Sequence, residues 1–213
     1  MLNFINIKFI IIKNNFNEVI IMYSFYAMMS RIKYINRWGL MNNTRRENLS
    51  EHSLEVAIIA HALGVINQKR FGGDISPERL AVLAIFHDAS EIITGDLPTP
   101  VKYNNETIKN AYKDIEEQAQ LRLLKMLPED MAEEYSSILC ADSNEAKIWE
   151  YIKAADKISA LIKCTEELIM GNREFAKAQQ TTLKAIENIN LPEVKVFMTE
   201  LFPAYELTLD EQE

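Results

Sequence analysis

The sequence predicts an all-α protein, a single helical bundle of about seven or eight helices. Three observations lead there. Glycine and proline together number only 12 of 213 residues, roughly half of ordinary usage, which leaves few places for the tight turns of a strand-rich fold. Apolar residues recur at helical spacing from residue 25 nearly to the C-terminus, and no segment reads convincingly as a strand. The punctuation is also of helix type, with capping side chains ahead of apolar runs and Gly or Pro after them.

Taken in chain order, residues 1–21 are rich in Ile, Asn and Phe and carry no capped amphipathic pattern, so they are expected to form an extension outside the core. Their apolar run, Phe9 to Ile12, is too short for a secretory signal and far too short to span a bilayer. The domain proper is expected to occupy 22–213. Phe25, Met28, Met29, Ile32 and Ile35 lie on one helical face and predict a helix over 25–36, ended by Asn36-Arg37-Trp38-Gly39. Residues 40–49 are polar and basic, a loop. Ser50 is the expected cap of a helix through Leu54, Ala57, Ile58 and Leu63 to about residue 70, stopped by Gly72-Gly73. Ser76-Pro77-Glu78 opens the next: a capping Ser, a Pro at the first helical position, then an acid. The run that follows to Phe86 is almost wholly apolar and predicts a buried, central helix. Residues 94–100, Thr-Gly-Asp-Leu-Pro-Thr-Pro, form the one Gly/Pro cluster and hence a loop. Helical patterns resume at 106–127, 129–139, 145–170, 173–189 and 193–201, separated by Pro128, Gly171 and Pro192.

Net charge is −8, unevenly spread. Residues 1–50 carry seven basic and two acidic side chains, so the rest of the chain is strongly acidic. A net acidic body argues against a nucleic-acid polymer or a membrane surface as partner. Cys140 and Cys164 make no CxxC and no disulfide framework; two reduced, structural thiols in a cytoplasmic protein are expected.

With three histidines in the chain, each can be weighed. His87-Asp88 ends the most apolar helix, where adjacent side chains can turn toward one ion. Imidazole with carboxylate suits a first-row divalent metal, and an Asp just beyond the apolar run Ala84-Ile85-Phe86 requires a partner. His52 opens the preceding helix, and Asp156 interrupts an otherwise core-like one. Glu91 follows Asp88 by three residues; if the helix continues there, it shares the face of the pair and can stand beside a metal without ligating it. His61 lies nine residues after His52, about half a turn around the helix, and is expected at the surface. Arg37 suits planar, bidentate binding of a phosphate. Lys102 and Tyr103 suit either a phosphate contact or a solvated loop.

The order His, His-Asp, distant Asp resembles the HD-domain phosphohydrolases. The motifs Ile35-Asn36-Arg37-Trp38, Glu47-Asn48-Leu49-Ser50-Glu51-His52-Ser53, His87-Asp88-Ala89-Ser90-Glu91 and Thr94-Gly95-Asp96-Leu97-Pro98-Thr99-Pro100-Val101-Lys102-Tyr103 are similar to those of its bacterial 5′-deoxynucleotidases. The likeness runs from about Tyr23 to Asp210. It implies that His52, His87, Asp88 and Asp156 bind one divalent ion, with Co²⁺ or Mn²⁺ favoured and Zn²⁺ or Fe²⁺ compatible. It also implies a deoxyribonucleoside 5′-monophosphate substrate, cleaved to deoxynucleoside and phosphate, and a homodimer. Arg37, Trp38, Asp88, Asp96, Leu97, Pro98, Thr99 and Asp156 would bind substrate, with Trp38 crowding the sugar 2′ position. Glu91 is expected to orient water or take its proton, and Asp96 to protonate the departing 5′ oxygen; the two roles can be exchanged. The alternatives are an HD hydrolase of a deoxynucleoside triphosphate, a guanosine polyphosphate or a cyclic dinucleotide, or an inactive nucleotide-binding HD protein. The lack of extra basic clusters near the motifs counts against the larger anions.

Overall fold

Asn48 starts the first long helix, two residues earlier than the expected cap at Ser50. Its side chain accepts from the backbone N–H groups of Ser50 and Glu51, while Glu51 reaches back to the Asn48 N–H, a reciprocal capping box. The helix, α2 (Leu49–Phe71), ends on Gly72 at φ 63°, a left-handed stop that glycine accepts without a Cβ clash. α3 (Pro77–Phe86) starts as the sequence predicts, with the Ser76 hydroxyl accepting from the Arg79 N–H and Pro77 in the first turn. The two helices approach so closely that a Cβ on Gly64 would stand 2.8 Å from the Pro77 Cα. This computed structural model describes residues 12–13, 19–20, 22–102, 104–140 and 145–212, with backbone alone at 12–13, 19–20 and 99.

The remaining helices are α1 (Phe25–Met29), the single turns α4 (Glu91–Thr94) and α5 (Thr99–Lys102), then α6 (Glu106–Leu124), α7 (Glu129–Leu139), α8 (Ala146–Ile169), α9 (Ala176–Glu187) and α10 (Pro192–Val196). The body is all-α, and its short turns account for the excess over seven or eight. The exception is a two-residue ladder near the N-terminus, Ile12–Lys13 antiparallel to Val19–Ile20, where an edge strand is the competing reading of the sequence. The other residues of 1–21 lie outside the described ones, as do Tyr103 and 141–144.

Three expected helices are broken in the structure. The segment 25–36 splits into α1 and a 3₁₀ turn (Ile32–Tyr34), with the Ser30 hydroxyl bonded back to the Ala27 carbonyl at the end of α1. The segment 173–189 begins as a 3₁₀ turn (Arg173–Phe175) capped by Asn172. The segment 193–201 passes from α10 into a π turn (Phe197–Leu201) and a 3₁₀ turn (Phe202–Glu206), where Pro203 supplies no N–H for a regular ladder.

α2, α3 and α8 enclose the main core. Val56, Ile59, Ala60 and Leu63 meet Leu80, Leu83 and Ala84 and, from α8, Ile152, Ala155, Ile158 and Ile162. A smaller cluster joins Phe25 of α1 to Ala89, Leu123, Met126, Leu127 and Leu139. α9 lies along α8, and α10 packs on α2. There the Asn67 amide and the Tyr151 hydroxyl both donate to Glu193 Oε1, at 2.6 and 2.9 Å. Among the described residues, α2 alone is long and apolar enough to cross a membrane, yet 56% of that stretch is buried in this core.

Candidate active site

The loop between α1 and α2 is closed at its base. The Arg37 N–H donates to the Glu47 carbonyl (3.0 Å), the Leu49 N–H donates to the Ile35 carbonyl (2.8 Å), and Asn36 pairs with Asn48 as an antiparallel bridge. Its other end is tied to α8 through buried Glu167, whose carboxylate accepts from the backbone N–H groups of Thr44 (2.9 Å) and Arg45 (3.2 Å) and from the Asn172 amide (2.7 Å). Lys163 spans Glu167 and the Arg45 carbonyl. Arg37 and Trp38 thus stand fixed beside the start of α2. Trp38 adopts φ 58°, rare for a bulky residue and costing roughly 1–3 kcal/mol, which the surroundings must over-determine. Its carbonyl accepts from the Met41 N–H and the Asn43 amide, and its ring packs on Phe175 with centroids 5.3 Å apart.

Three elements bring four of the expected residues together. His52 comes from the first turn of α2, His87-Asp88 from the end of α3, and Asp156 from the middle of α8. His52 Nε2 lies 3.1 Å from Asp156 Oδ1 and 3.7 Å from Asp88 Oδ2; His87 Nε2 lies 3.1 Å from Asp88 Oδ2. The ligand atoms of His52, His87 and Asp88 all lie within 4.8 Å of one another. Both Nε2 atoms are buried, and neither has a hydrogen bond of acceptable geometry. His87 Nδ1 sits 2.7 Å from the Ala84 carbonyl, which holds a proton there and aims Nε2 at the group. His52 Nδ1 lies within reach of Arg37 Nη1 and of Ser159 Oγ (3.1 Å), which in turn donates to Glu55 Oε2. The helix does not continue past Phe86, so the condition under which Glu91 would share the helical face of the pair is not met. His87 caps it, and a turn follows in which the Glu91 N–H donates to the Asp88 carbonyl (2.9 Å), so a tight turn keeps Glu91 buried near the pair.

Burial opposes every charge here, and the balance differs from group to group. His52 is pushed down by burial and by the Arg37 guanidinium, leaving a neutral imidazole. Burial also works against a charged His87, but the Asp88 carboxylate outweighs it and raises the pKa to about 9. Asp156 is buried too, yet the His52 ring 3.1 Å away and the Arg37 guanidinium hold it well below the usual carboxylate range. Glu91 is raised to about 9 by burial and then by the neighbouring Asp88 and Asp96, and Asp96 is itself raised, chiefly by burial. Burial, with added repulsion from Asp88, drives both carboxyls upward, and a divalent cation close by would favour their charged forms. With the orphaned imidazole nitrogens, that is the fit expected of a metal site with N and O donors. Asp88 and Asp156 remain 26% and 37% exposed, so the group opens to solvent on their side.

A cavity of about 450 Å³ adjoins it, of the size that takes a small ligand. Arg37, Trp38, Asp96, Pro98 and Asp156 line it, all expected at the site. Leu97 lies half-buried between two of them, and the side chain of Thr99 lies outside the described residues. Lys102 pairs with Glu116 (2.8 Å) and lies over the Tyr112 ring rather than lining the cavity. His61 is exposed, as expected, and Cys140 and Cys164 are unbonded thiols. Sequence reasoning missed Leu40, Met41, Lys157, Thr181 and Thr182 on the cavity wall. It also quoted Glu47 only as part of a motif. The Glu47 carboxylate accepts from Arg37 Nη1 (2.7 Å) and from the Trp38 indole (3.1 Å). Its five-residue distance from His52 was the one available signal.

A family model described as 5′-deoxynucleotidase YfbR-like matches residues 24–205. A 5′-deoxynucleotidase of Vibrio parahaemolyticus is 47% identical over 88% of this chain and 96% of its own. One of Photorhabdus laumondii is 49% identical over 88% of this chain and 95% of its own. Among solved structures, an HD-domain phosphohydrolase of Listeria innocua superposes with a TM-score of 0.73 at 25% identity, covering 85% of this chain and 88% of its own.

Proposed function

The chain belongs to the YfbR-like 5′-deoxynucleotidase family, and from that premise we propose which of its residues carry the reaction. It is an HD-domain 5′-deoxynucleotidase, hydrolysing deoxyribonucleoside 5′-monophosphates to deoxynucleoside and phosphate. The observation that carries the assignment of the site is the pair of buried, partnerless imidazole nitrogens on His52 and His87, facing the Asp88 and Asp156 carboxylates at the edge of the cavity.

In this reading His52, His87, Asp88 and Asp156 hold one divalent ion: Co²⁺, Mn²⁺, Zn²⁺ or Fe²⁺. When bound, it supplies Lewis-acid polarisation of the phosphate and an acidified water. Arg37 binds the phosphate. Its Nη1 is committed to Glu47, and its Nη2 lies 3.7 Å from Asp156 Oδ1, which aims that donor at the phosphate side of the site. Trp38 walls the sugar at C2′, with Phe175 behind its ring preventing retreat. Glu91, buried next to Asp88 and raised to about 9, acts as base only in its carboxylate form, which a bound cation would favour; Asp96, also raised, donates to the departing 5′ oxygen, and the two roles can be exchanged. Asp96, Leu97, Pro98 and Thr99 close over the nucleotide from the loop side. A homodimer in the cytoplasm completes the proposal. Exposed Leu54 and Ile58 on α2 and Val82 and Ile85 on α3 support self-association, and the two unbonded thiols support a reducing compartment.

The test is phosphate release from a deoxy/ribo pair of 5′-monophosphates sharing one base, after chelator stripping and addition of each metal in turn. Release is expected only with metal, and faster from the deoxy substrate. Faster release from a triphosphate, a guanosine polyphosphate or a cyclic dinucleotide would overturn the assignment. Arg37→Ala should lower kcat/KM for both sugars alike, by about 10²-fold, since the phosphate is common to them; unequal losses would place Arg37 at the sugar instead.

A further inference from the structure

One carboxylate contacts both of the side chains assigned above to the nucleotide. Glu47 Oε1 accepts from Arg37 Nη1 at 2.7 Å and lies 3.4 Å from His52 Nδ1, while its Oε2 accepts from the Trp38 indole N–H at 3.1 Å. Its side chain is only 12% exposed, and its backbone carbonyl accepts from the Arg37 N–H, so the residue is held from both ends. The indole needs such a hold. Trp38 has left-handed backbone at φ 58°, and the tilted Phe175 contact at 5.3 Å is apolar and offers the indole N–H no partner. The hydrogen bond to Glu47 Oε2 supplies the missing restraint.

We propose that Glu47 is a positioning residue for sugar selectivity, holding the Trp38 indole and the Arg37 guanidinium at a fixed separation so that phosphate and C2′ are measured against one rigid rule. The proposal rests on the reading of Arg37 as the phosphate anchor and Trp38 as the sugar wall. Glu47 touches neither substrate nor reacting atoms. Its action is to keep the wall from turning aside when a 2′-hydroxyl presses on it. A glutamine in its place keeps the volume but has one acceptor oxygen and one amide donor. One of the two facing donors, guanidinium or indole, then meets N–H instead of oxygen, and the pair loses its common anchor. An aspartate keeps both acceptor oxygens on a shorter arm.

The experiment compares wild type, Glu47→Gln, Glu47→Asp and Trp38→Ala, with kcat/KM measured for a deoxy/ribo pair sharing one base and with melting temperature as the check on folding. In Glu47→Gln the deoxy/ribo ratio is expected to fall about tenfold, the equivalent of one lost hydrogen bond, with Glu47→Asp recovering part of it. A second readout needs no substrate. In a Trp149→Phe background the remaining fluorescence is that of Trp38, and its quenching by acrylamide should rise in Glu47→Gln. A ratio within about twofold of wild type in both Glu47 variants, with the ratio collapsed in Trp38→Ala, would overturn the proposal and leave the wall in place. A ratio unchanged in Trp38→Ala would overturn the reading of the wall itself, and the proposal with it. Should Glu47→Gln not fold, the ratio in Glu47→Asp decides.

Discussion

Asp88 and Glu91 are both carboxylates, three positions apart, yet the structure separates their environments. Asp88 is held below the ordinary range, with the His87 imidazolium chief among the groups overcoming its burial, whereas Glu91 is raised to about 9 by burial and its acidic neighbours. Asp88→Ala should therefore abolish metal binding, read as metal content after dialysis. Glu91→Ala should keep the metal but lower kcat by about 10²–10⁴-fold. Metal lost from Glu91→Ala, with turnover restored by excess metal, would make Glu91 a ligand. The His/Asp set was legible in the sequence because buried histidine and aspartate in apolar helices demand partners. Glu47 and the threonines of α9 were not, since a loop carboxylate and a helix-surface hydroxyl look the same whether they face water or a nucleotide.

At the scale of elements, the long helices were readable from caps and apolar spacing, and α3 starts and ends where the sequence places it. Breaks inside helices were not, because the cap at Asn172 and the N–H that Pro203 lacks are local features that periodicity does not register. Residues 40–49, just after Arg37, read as a polar and basic loop; their order comes from Glu167, 1% exposed on α8. Burial opposes ionisation of that carboxylate, but Lys163, Asn172 and the two loop N–H groups outweigh it and hold its pKa well down. A depressed folded value means stability that is present above the unfolded carboxylate pKa of about 4.3 and is lost as pH falls through it toward the folded value. Glu167→Gln should accordingly lower the urea-unfolding free energy by about 3 kcal/mol at pH 7, leaving Lys163 buried without its counter-charge. The gap to wild type should narrow below about pH 4. A gap independent of pH would assign the loss to packing.

For the whole molecule, the family match begins at residue 24, and residues 1–21 were read as an extension because nothing in them resembles a capped amphipathic element. A chain started at Met22 should match the full chain in melting temperature and kcat/KM; a clear loss would show that the segment packs on the body. The all-α class was plain from the scarcity of glycine and proline, but the meeting of α2, α3 and α8 at one point was not, since periodicity says which face is buried and not against what. That meeting has a consequence for how the molecule comes apart. His52 and Asp156 are 104 positions apart in the chain, so an ion shared between them is a cross-link closing a long loop. It would restrict the unfolded chain only while both ends hold it, and its stabilisation follows mass action, reaching about 4 kcal/mol at a thousandfold excess over Kd. The melting temperature should climb with the logarithm of free metal in wild type and stay flat in Asp156→Ala. In the stripped protein, amide exchange should quicken first along the middle of α8, where the helix runs past His52 with its partner of opposite charge no longer tied across the seam.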